Sequence, residues 1–260
     1  MIHLNTPNGF SVEVPENKDE DITPKFDVNL EREAAVKYYQ DNGYVIFSSC
    51  VSSEDCDQIR NLWEKSIKPY KGTIYRQTTA KAEKNLLNKN NWIMNPVLNI
   101  QSLNPYLFGD FRNSVDSKVF SNISICKALR SILGEKPKIV QSMYFEGNSA
   151  TWEHQDSYYL DSEKIGEMTA GWLALDEIKA DAGRFFICPE SHKIGHGKQN
   201  IDNNIAENHN KYISEVISII KSKNMKIKAL YMAIGDVLFW NSWTIHGSID
   251  SQNKNFSRPS

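Results

Sequence analysis

Residues 235–248 read GDVLFWNSWTIHGS and predict two short β-strands joined by a turn. Gly235 marks the turn that opens the first strand. In the second strand, alternation places Thr244, His246 and Ser248 on one face. The C-terminal part of the chain is therefore expected to be rich in β structure and to present a histidine on a strand face.

Similar short runs precede this region, and all are aromatic or β-branched and bounded by Gly, Asp, Asn or Pro. They are residues 138–145, 151–159, 171–175 and 184–188. Several such strands after a helical opening predict a mainly β fold with flanking helices. Its core is expected to be a double-stranded β-helix of the jelly-roll, cupin-like kind.

The N-terminal half carries clear helix start and stop signals. Helical spacing of apolar residues over 30–40 ends at Gly43, and a strand over 44–47 follows. Ser52 is the predicted N-cap of the next helix, with acidic residues in its first turn. A further helix is expected over 124–133, ended by a glycine. These helices are expected to pack against the β core.

Two polar segments have a weaker pattern. Residues 70–122 predict a long irregular stretch that could serve as a lid, with one short helix around 80–87. Residues 198–228 form a polar insert with a helical apolar stripe at Ile213, Val216, Ile217 and Ile220.

Length and composition favour a single domain over residues 1–260. Its expected parts are a surface lead-in over 1–28, a helical buttress and irregular lid region over 29–135, and the jelly-roll core over 136–260 with the insert 198–228.

Charge and composition exclude several function classes. With 30 Lys+Arg against 32 Asp+Glu, the chain lacks the basic surface that nucleic-acid binding requires. No apolar run is long enough for a membrane span, and no secretory signal is visible, so the cytoplasm is the expected compartment. Four scattered cysteines are expected to be reduced core thiols. The expected partner is a small-molecule substrate, and a monomer or a homodimer would both fit.

The chemistry is expected at His154, Asp156 and His246. In a β-type segment, residues two apart point to the same face, so one strand aims His154 and Asp156 at a single point. A second strand of the same barrel can bring His246 to them. Two imidazoles and one carboxylate that leave open positions form the facial triad of non-haem Fe(II) oxygenases.

An arginine near the end of the chain adds a third element. Arg258 lies twelve residues after His246, and Ser260 shares its face if the segment is a strand. A guanidinium fork binds a carboxylate in a bidentate manner and stays charged at working pH. An Arg–Ser pair beside iron is what holding the distal carboxylate of a dicarboxylic acid would require.

The chain resembles the phytanoyl-CoA dioxygenase family of Fe(II)- and 2-oxoglutarate-dependent oxygenases over most of its length. The resemblance is carried by the order and spacing of several blocks, which are residues 42–47, 52–54, 141–145, 153–159, 171–176, 189–193, 235–239 and 246–248. Family members continue past the arginine with further β structure, and the insert 198–228 is longer than a minimal barrel requires.

The resemblance implies an iron site and a co-substrate pocket. The implied iron ligands are His154, Asp156 and His246. The implied 2-oxoglutarate residues are Arg258 and Ser260 on the distal carboxylate, with Trp172 and Gln141 lining the same pocket. The implied reaction consumes O2, releases succinate and CO2, and most often hydroxylates an unactivated C–H bond of a small-molecule metabolite.

The remaining histidines are expected to lie outside the site. His192 is interpreted as structural, and His3, His196 and His209 as solvated loop histidines.

Two alternatives stay open. Two histidines and one carboxylate also suit a zinc- or manganese-dependent hydrolase or isomerase on the same barrel, although such an enzyme has no need for the Arg258 clamp. A non-catalytic jelly-roll binding module would use the same histidines as ordinary polar groups of a pocket.

Overall fold

The fold is known from a computed structural model that describes residues 1–147, 149–164, 166–194, 205–253 and 255–260, without the side chains of 205–207. The helices are α1 (Arg32–Asn42), α2 (Ser53–Leu62), α3 (Pro105–Val115), α4 (Ile123–Leu133) and α5 (Ile205–Ser222). The strands are β1 (Ile2–Asn5), β2 (Ser11–Val14), β3 (Lys25–Phe26), β4 (Tyr44–Phe47), β5 (Ile74–Tyr75), β6 (Ala82–Glu83), β7 (Val97–Leu98), β8 (Met143–Tyr144), β9 (Thr151–His154), β10 (Thr169–Leu173), β11 (Phe185–Ile187), β12 (Lys228–Ala229), β13 (Val237–Asn241) and β14 (His246–Ser248).

Two four-stranded sheets form the core of the fold. The first has the order β10-β13-β4-β3, and the second has the order β12-β11-β14-β9. Their pairings are antiparallel except for β3 with β4. Neighbouring strands are distant in sequence, as in a double-stranded β-helix. The predicted jelly-roll core with flanking helices is confirmed.

Period-two alternation in β4 and β13 explains how the first sheet separates two cores. Tyr44, Ile46, Leu238 and Trp240 point to the second sheet and pack with Phe185 and Ile187 from β11. The intervening residues of both strands face the helices, where they join a larger cluster. All four residues of β4 are buried because both faces of this sheet are covered.

The helices begin and end where the capping signals predict. Ser52 accepts a hydrogen bond from the Asp55 backbone N–H at 3.1 Å, which satisfies one of the free donors of α2. Gly43 ends α1 and Gly134 ends α4, both with left-handed backbone. The predicted strand 44–47 is present with the same bounds.

The N-terminal segment is more integrated than expected. The β1–β2 hairpin buries Val12 and Val14 against the outer face of the second sheet. Residues 13–28, expected on the surface, also contribute β3, which pairs with β4 and buries Phe26. This segment is mostly polar, but burial of its few apolar side chains is enough to anchor it.

The helix expected around residues 80–87 is wrong. The chain instead forms a hairpin of β5 with β6. Its organiser is Arg76, which is fully buried and donates to the backbone carbonyls of Glu83 and Asn95. A helix that the pattern did not predict, α3, begins with Asn104 as its cap at the end of this stretch.

Residues 138–142 were expected to be part of a strand, but only Met143 and Tyr144 are in one. Ile139 and Val140 are 47 % and 65 % exposed, so these β-branched residues do not belong to a buried strand.

All four cysteines are free thiols, and Cys50, Cys56 and Cys188 are buried in the core as expected, whereas Cys126 is only half-buried. None of the helices in the described part of the chain is both long and apolar enough to cross a membrane.

Candidate metal centre

The two predicted histidine ligands lie opposite each other on neighbouring strands of the second sheet. His154 is the last residue of β9 and His246 is the first of β14, and the two are register partners. Their ring centroids are 4.3 Å apart. Cross-strand pairing thus brings together two residues that are far apart in sequence.

Asp156 completes the group, although it lies just outside the strand. Pairing of β9 ends at His154, and Asp156 opens a short 3-10 turn, so the expectation of a strand through 151–159 is wrong. Gln155 between them keeps an extended backbone, with φ −116° and ψ 135°. Alternation therefore still turns His154 and Asp156 to the same side, as the sequence predicts.

The three side chains present one ligand atom each to a common point. Asp156 Oδ1 lies 3.7 Å from His154 Nε2 and 3.5 Å from His246 Nε2. All three atoms lie within 4.8 Å of one another. Ligand atoms bound at right angles to one ion at ~2.1 Å are ~3.0 Å apart, so small side-chain rotations would close the group around a metal.

Backbone carbonyls orient both imidazoles. His154 Nδ1 lies 2.8 Å from the Trp152 carbonyl, and His246 Nδ1 lies 2.9 Å from the Thr244 carbonyl. A carbonyl can only accept, so each Nδ1 carries the proton. Each Nε2 is therefore the nitrogen that is left for the metal, in the manner of hydrogen-bonded metal ligands generally.

A hydrogen bond from Trp240 gives the two oxygens of Asp156 different roles. Its indole N–H donates to Asp156 Oδ2 at 2.8 Å, which leaves Oδ1 facing the histidines. Burial disfavours the charge of this carboxyl, but His246 and His154 outweigh it and hold the pKa of Asp156 well below its usual range. The ionised, singly available oxygen is what a two-histidine, one-carboxylate metal site requires.

Arg258 is buried and lacks an anionic partner among the described residues, and its role in binding 2-oxoglutarate stays a prediction. It is 6 % exposed, and its Nη1 donates to the Gly183 carbonyl at 2.7 Å. Its Nε is buried without a hydrogen-bond partner in the part of the chain that the structure covers. Burial lowers the pKa of Arg258 to about 10, which still leaves it charged at neutral pH. A buried, partly unsatisfied guanidinium fits the carboxylate of 2-oxoglutarate.

Aromatic rings connect Arg258 to the histidines. The guanidinium lies 5.9 Å from the ring centre of Trp172. Trp172 stacks on Phe185 at 5.7 Å, and Phe185 stacks on His246 at 5.4 Å. Trp172 thus lies between Arg258 and the histidine group, and its part in binding 2-oxoglutarate stays a prediction. Phe185 is a neighbour of this group that the sequence did not single out.

The other predicted co-substrate residues differ in their placement. Ser260 belongs to a segment that bonds to Phe145 through both backbone groups, at 3.0 and 3.1 Å, and its Oγ is buried without a partner among the described residues. The neighbouring Pro259 carbonyl accepts from Leu175 at 3.1 Å, so this final segment is held on both sides. Gln141 is exposed and precedes β8, and its place in the pocket stays a prediction.

The remaining histidines fall outside the group. His192 Nε2 lies 2.9 Å from the Gln40 carbonyl, in agreement with a structural role, and His3 is exposed on β1. His209 was expected in a solvated loop, but it lies in α5 with its Nε2 2.8 Å from Tyr159 Oη. His196 lies outside the described residues.

Comparison with curated proteins gives distant relatives. The peroxisomal phytanoyl-CoA dioxygenase of Bos taurus is 21 % identical over 255 residues, covering 85 % of this chain and 65 % of the relative. A phytanoyl-CoA dioxygenase domain-containing protein 1 homolog of Caenorhabditis briggsae is 34 % identical over 80 residues, covering 29 % of this chain and 28 % of the relative. The matches thus span less than two thirds of the length of these relatives.

Solved structures share the fold at low identity. The non-heme alpha ketoglutarate dependent carbocyclase SnoK from nogalamycin biosynthesis matches with a TM-score of 0.64 at 15 % identity, covering 91 % of this chain and 84 % of the other. EctD from S. alaskensis with bound Fe matches with a TM-score of 0.58 at 15 % identity, covering 99 % and 81 %.

The family model of phytanoyl-CoA dioxygenase (PhyH) matches residues 39–259, a range that includes all three candidate ligands and Arg258. This range covers most of the chain, so the resemblance seen in the sequence is confirmed: the chain belongs to the phytanoyl-CoA dioxygenase family.

Proposed function

We propose that this protein is an Fe(II)- and 2-oxoglutarate-dependent dioxygenase that hydroxylates an unactivated C–H bond of a small-molecule metabolite. The observation that carries the proposal is a three-ligand group with a buried guanidinium nearby that has no anionic partner among the described residues. Membership in the phytanoyl-CoA dioxygenase family supports the same activity.

His154, Asp156 and His246 would hold the iron through Nε2, Oδ1 and Nε2. Three protein ligands leave positions for a co-substrate and for dioxygen. When bound, iron with 2-oxoglutarate supplies an oxidative decarboxylation, with release of succinate and CO2, that activates dioxygen for attack on a C–H bond. The chain itself supplies position and protection.

The chain's own residues would define where the co-substrate lies. Arg258 would grip the distal carboxylate with its fork, and Ser260 Oγ would add a hydrogen bond to it. The stacked rings of Trp172 and Phe185 lie between this clamp and His246, and they keep water from the space beside the metal.

Arg258 also favours this proposal over a zinc or manganese hydrolase. A hydrolase on this barrel would need the metal and a water, but it would gain nothing from a buried guanidinium beside them. Burying that charge without a partner is unfavourable, and a dicarboxylic co-substrate relieves it.

The test is an anaerobic titration of the apoprotein with Fe(II) and then with 2-oxoglutarate. We expect the weak visible charge-transfer band of the chelate complex to appear. Arg258→Gln should still bind Fe(II) but should weaken 2-oxoglutarate binding about 100-fold, since charged hydrogen bonds contribute about 3 kcal/mol.

Ser257→Ala is the matched control, because Ser257 neighbours Arg258 in sequence but lines a cavity with Trp63 and Tyr144. Its titration should match the wild type. Absence of the band in wild-type protein that binds Fe(II), or equal 2-oxoglutarate affinity in Arg258→Gln, would contradict the proposal.

A further inference from the structure

We infer that helix α5, which lies in the polar insert, positions the bend formed by residues 154–156 through the hydroxyl of Tyr212. We call this segment the metal-binding bend. This inference rests on the proposed function, because it takes His154 and Asp156 as metal ligands. Gln155 is the residue between them and is 1 % exposed. Its backbone is therefore the part of the chain that sets the relative direction of the two ligands.

A single hydroxyl bonds to both backbone groups of Gln155, whose carbonyl also accepts from the Tyr158 backbone N–H at 3.3 Å. The Gln155 N–H donates to Tyr212 Oη at 2.7 Å, and Tyr212 Oη donates to the Gln155 carbonyl at 3.2 Å. Buried backbone groups need such partners, and strand pairing cannot supply them because β9 ends one residue earlier. For the Gln155 N–H, Tyr212 thus takes the place that a neighbouring strand would otherwise fill.

The Tyr212 ring is itself held in a fixed place. It is fully buried and stacks on Tyr158 with ring centres 3.7 Å apart and an angle of 3°. Tyr158 belongs to the 3-10 turn that Asp156 opens. The same tyrosine therefore contacts the bend through its hydroxyl and the following turn through its ring.

The rest of α5 packs against the residue that precedes the strand with the other histidine. Val216 and Ile220 pack with Ile245, the residue before His246. The Gln155 side chain in turn donates to the carbonyl of Trp243, just before β14. Helix, bend and second ligand strand are therefore linked by direct contacts, and a displacement of α5 would change the angle between the ligands.

The alternative is that α5 merely covers the sheet. A covering helix contributes to folding stability but leaves the metal affinity of the folded protein unchanged. A positioning helix changes the affinity and the geometry of the metal complex, because ligand orientation sets both.

The experiment uses the full chain as apoprotein and Co(II) as the spectroscopic probe of the site. Tyr212→Phe removes the hydroxyl and keeps the ring stack. Tyr39→Phe is the matched control, since it removes another largely buried hydroxyl, which bonds to Thr169 at 2.7 Å on the helix side of the first sheet. Urea unfolding of both apoproteins measures the structural effect separately.

We expect both variants to lose stability, and only Tyr212→Phe to bind Co(II) about 10- to 100-fold more weakly with altered d–d bands. Equal Co(II) affinity and an unchanged spectrum in folded Tyr212→Phe would overturn the inference. Wild-type protein that binds no Co(II) would overturn the proposed function and the inference together. If the wild type binds Co(II) but not 2-oxoglutarate, and Tyr212→Phe shows the expected weaker binding, the proposed function alone is contradicted.

A second measurement needs only the wild type and covers the case that Tyr212→Phe does not fold. Coupling between two sites is reciprocal, so metal binding at the bend must stabilise α5 in return. Hydrogen exchange with and without Co(II) should show increased protection of amides in 208–222. Unchanged protection there, with increased protection in β9 and β14, would refute the positioning role.

Discussion

Replacing Gly43 by alanine tests how the end of α1 packs against the loops of the sheet that carries His154 and His246. Gly43 has φ 81° and ψ 4°, which disfavours any residue with a Cβ. An added Cβ would lie 2.4 Å from His192 Nδ1 and 2.7 Å from Thr244 Oγ1. Neither neighbour moves freely, because His192 is bonded to the Gln40 carbonyl and Thr244 Oγ1 donates to the Gly43 carbonyl.

Two separate effects contribute to the expected loss of stability. Left-handed backbone at a non-glycine residue costs about 1–2 kcal/mol. Overpacking against side chains that must shift adds about 1–3 kcal/mol. The Gly43→Ala variant is therefore expected to lose about 2–5 kcal/mol in the free energy of unfolding.

Gly134→Ala separates the two effects. Gly134 ends α4 with φ 72° and ψ −7°, and an added Cβ there would meet nothing within 4 Å. This variant should lose only the backbone component, about 1–2 kcal/mol. The difference between the two variants then measures the contact with His192 and Thr244.

The assay is urea unfolding of the apoproteins, with the midpoint compared at equal m-value. Gly43→Ala combined with His192→Ala should recover part of the packing component, and a double-mutant cycle isolates that coupling. Equal losses in Gly43→Ala and Gly134→Ala, or no coupling with His192, would refute the reasoning.

Three further outcomes are expected. Trp240→Phe removes the donor to Asp156 Oδ2 and should weaken Co(II) binding about 10- to 100-fold while the secondary structure stays unchanged. A Co(II) titration that matches the wild type would argue against this role of Trp240. Burial lowers the pKa of His192, so the unfolded chain binds more protons and the free energy of unfolding should fall as the pH drops below about 6.5. His192→Gln should show a shallower fall in urea midpoints between pH 7.5 and 5.5, and identical slopes would contradict the assignment. Arg76→Met should lower the free energy of unfolding by about 3 kcal/mol, because buried carbonyl groups lose their donor. A loss below about 1 kcal/mol in urea unfolding would speak against the organising role of Arg76.

The sequence was most informative where local signals and burial agree. The strand 44–47, the Ser52 cap and the glycine ends of α1 and α4 follow from nearest-neighbour chemistry, so the structure has them where the pattern predicts. For the same reason, the spacing of His154 and Asp156 was sufficient to predict that their side chains point to the same side. Two residues that are two apart in extended backbone share a side, whether or not a partner strand is present.

Long-range contacts account for what the sequence missed. Residues 80–87 look helical, but the buried Arg76 finds its carbonyl partners only when that stretch folds back as a hairpin. The role of Tyr212 depends on α5 meeting a bend that lies far away in the chain. No periodicity in the insert marks one tyrosine hydroxyl as the partner of that bend.

Cross-strand pairing of His154 with His246 has a consequence for the order of folding and metal loading. The two ligands are 92 residues apart in sequence, so the site exists only after a long loop has closed. The unfolded chain offers a metal no such group, and because so long a loop is expected to close late, we expect the transition state to form without a bound metal. Refolding rates should therefore be the same with and without divalent metal, while unfolding is slowed. If the group binds a metal as proposed, the metal would then be loaded onto folded apoprotein.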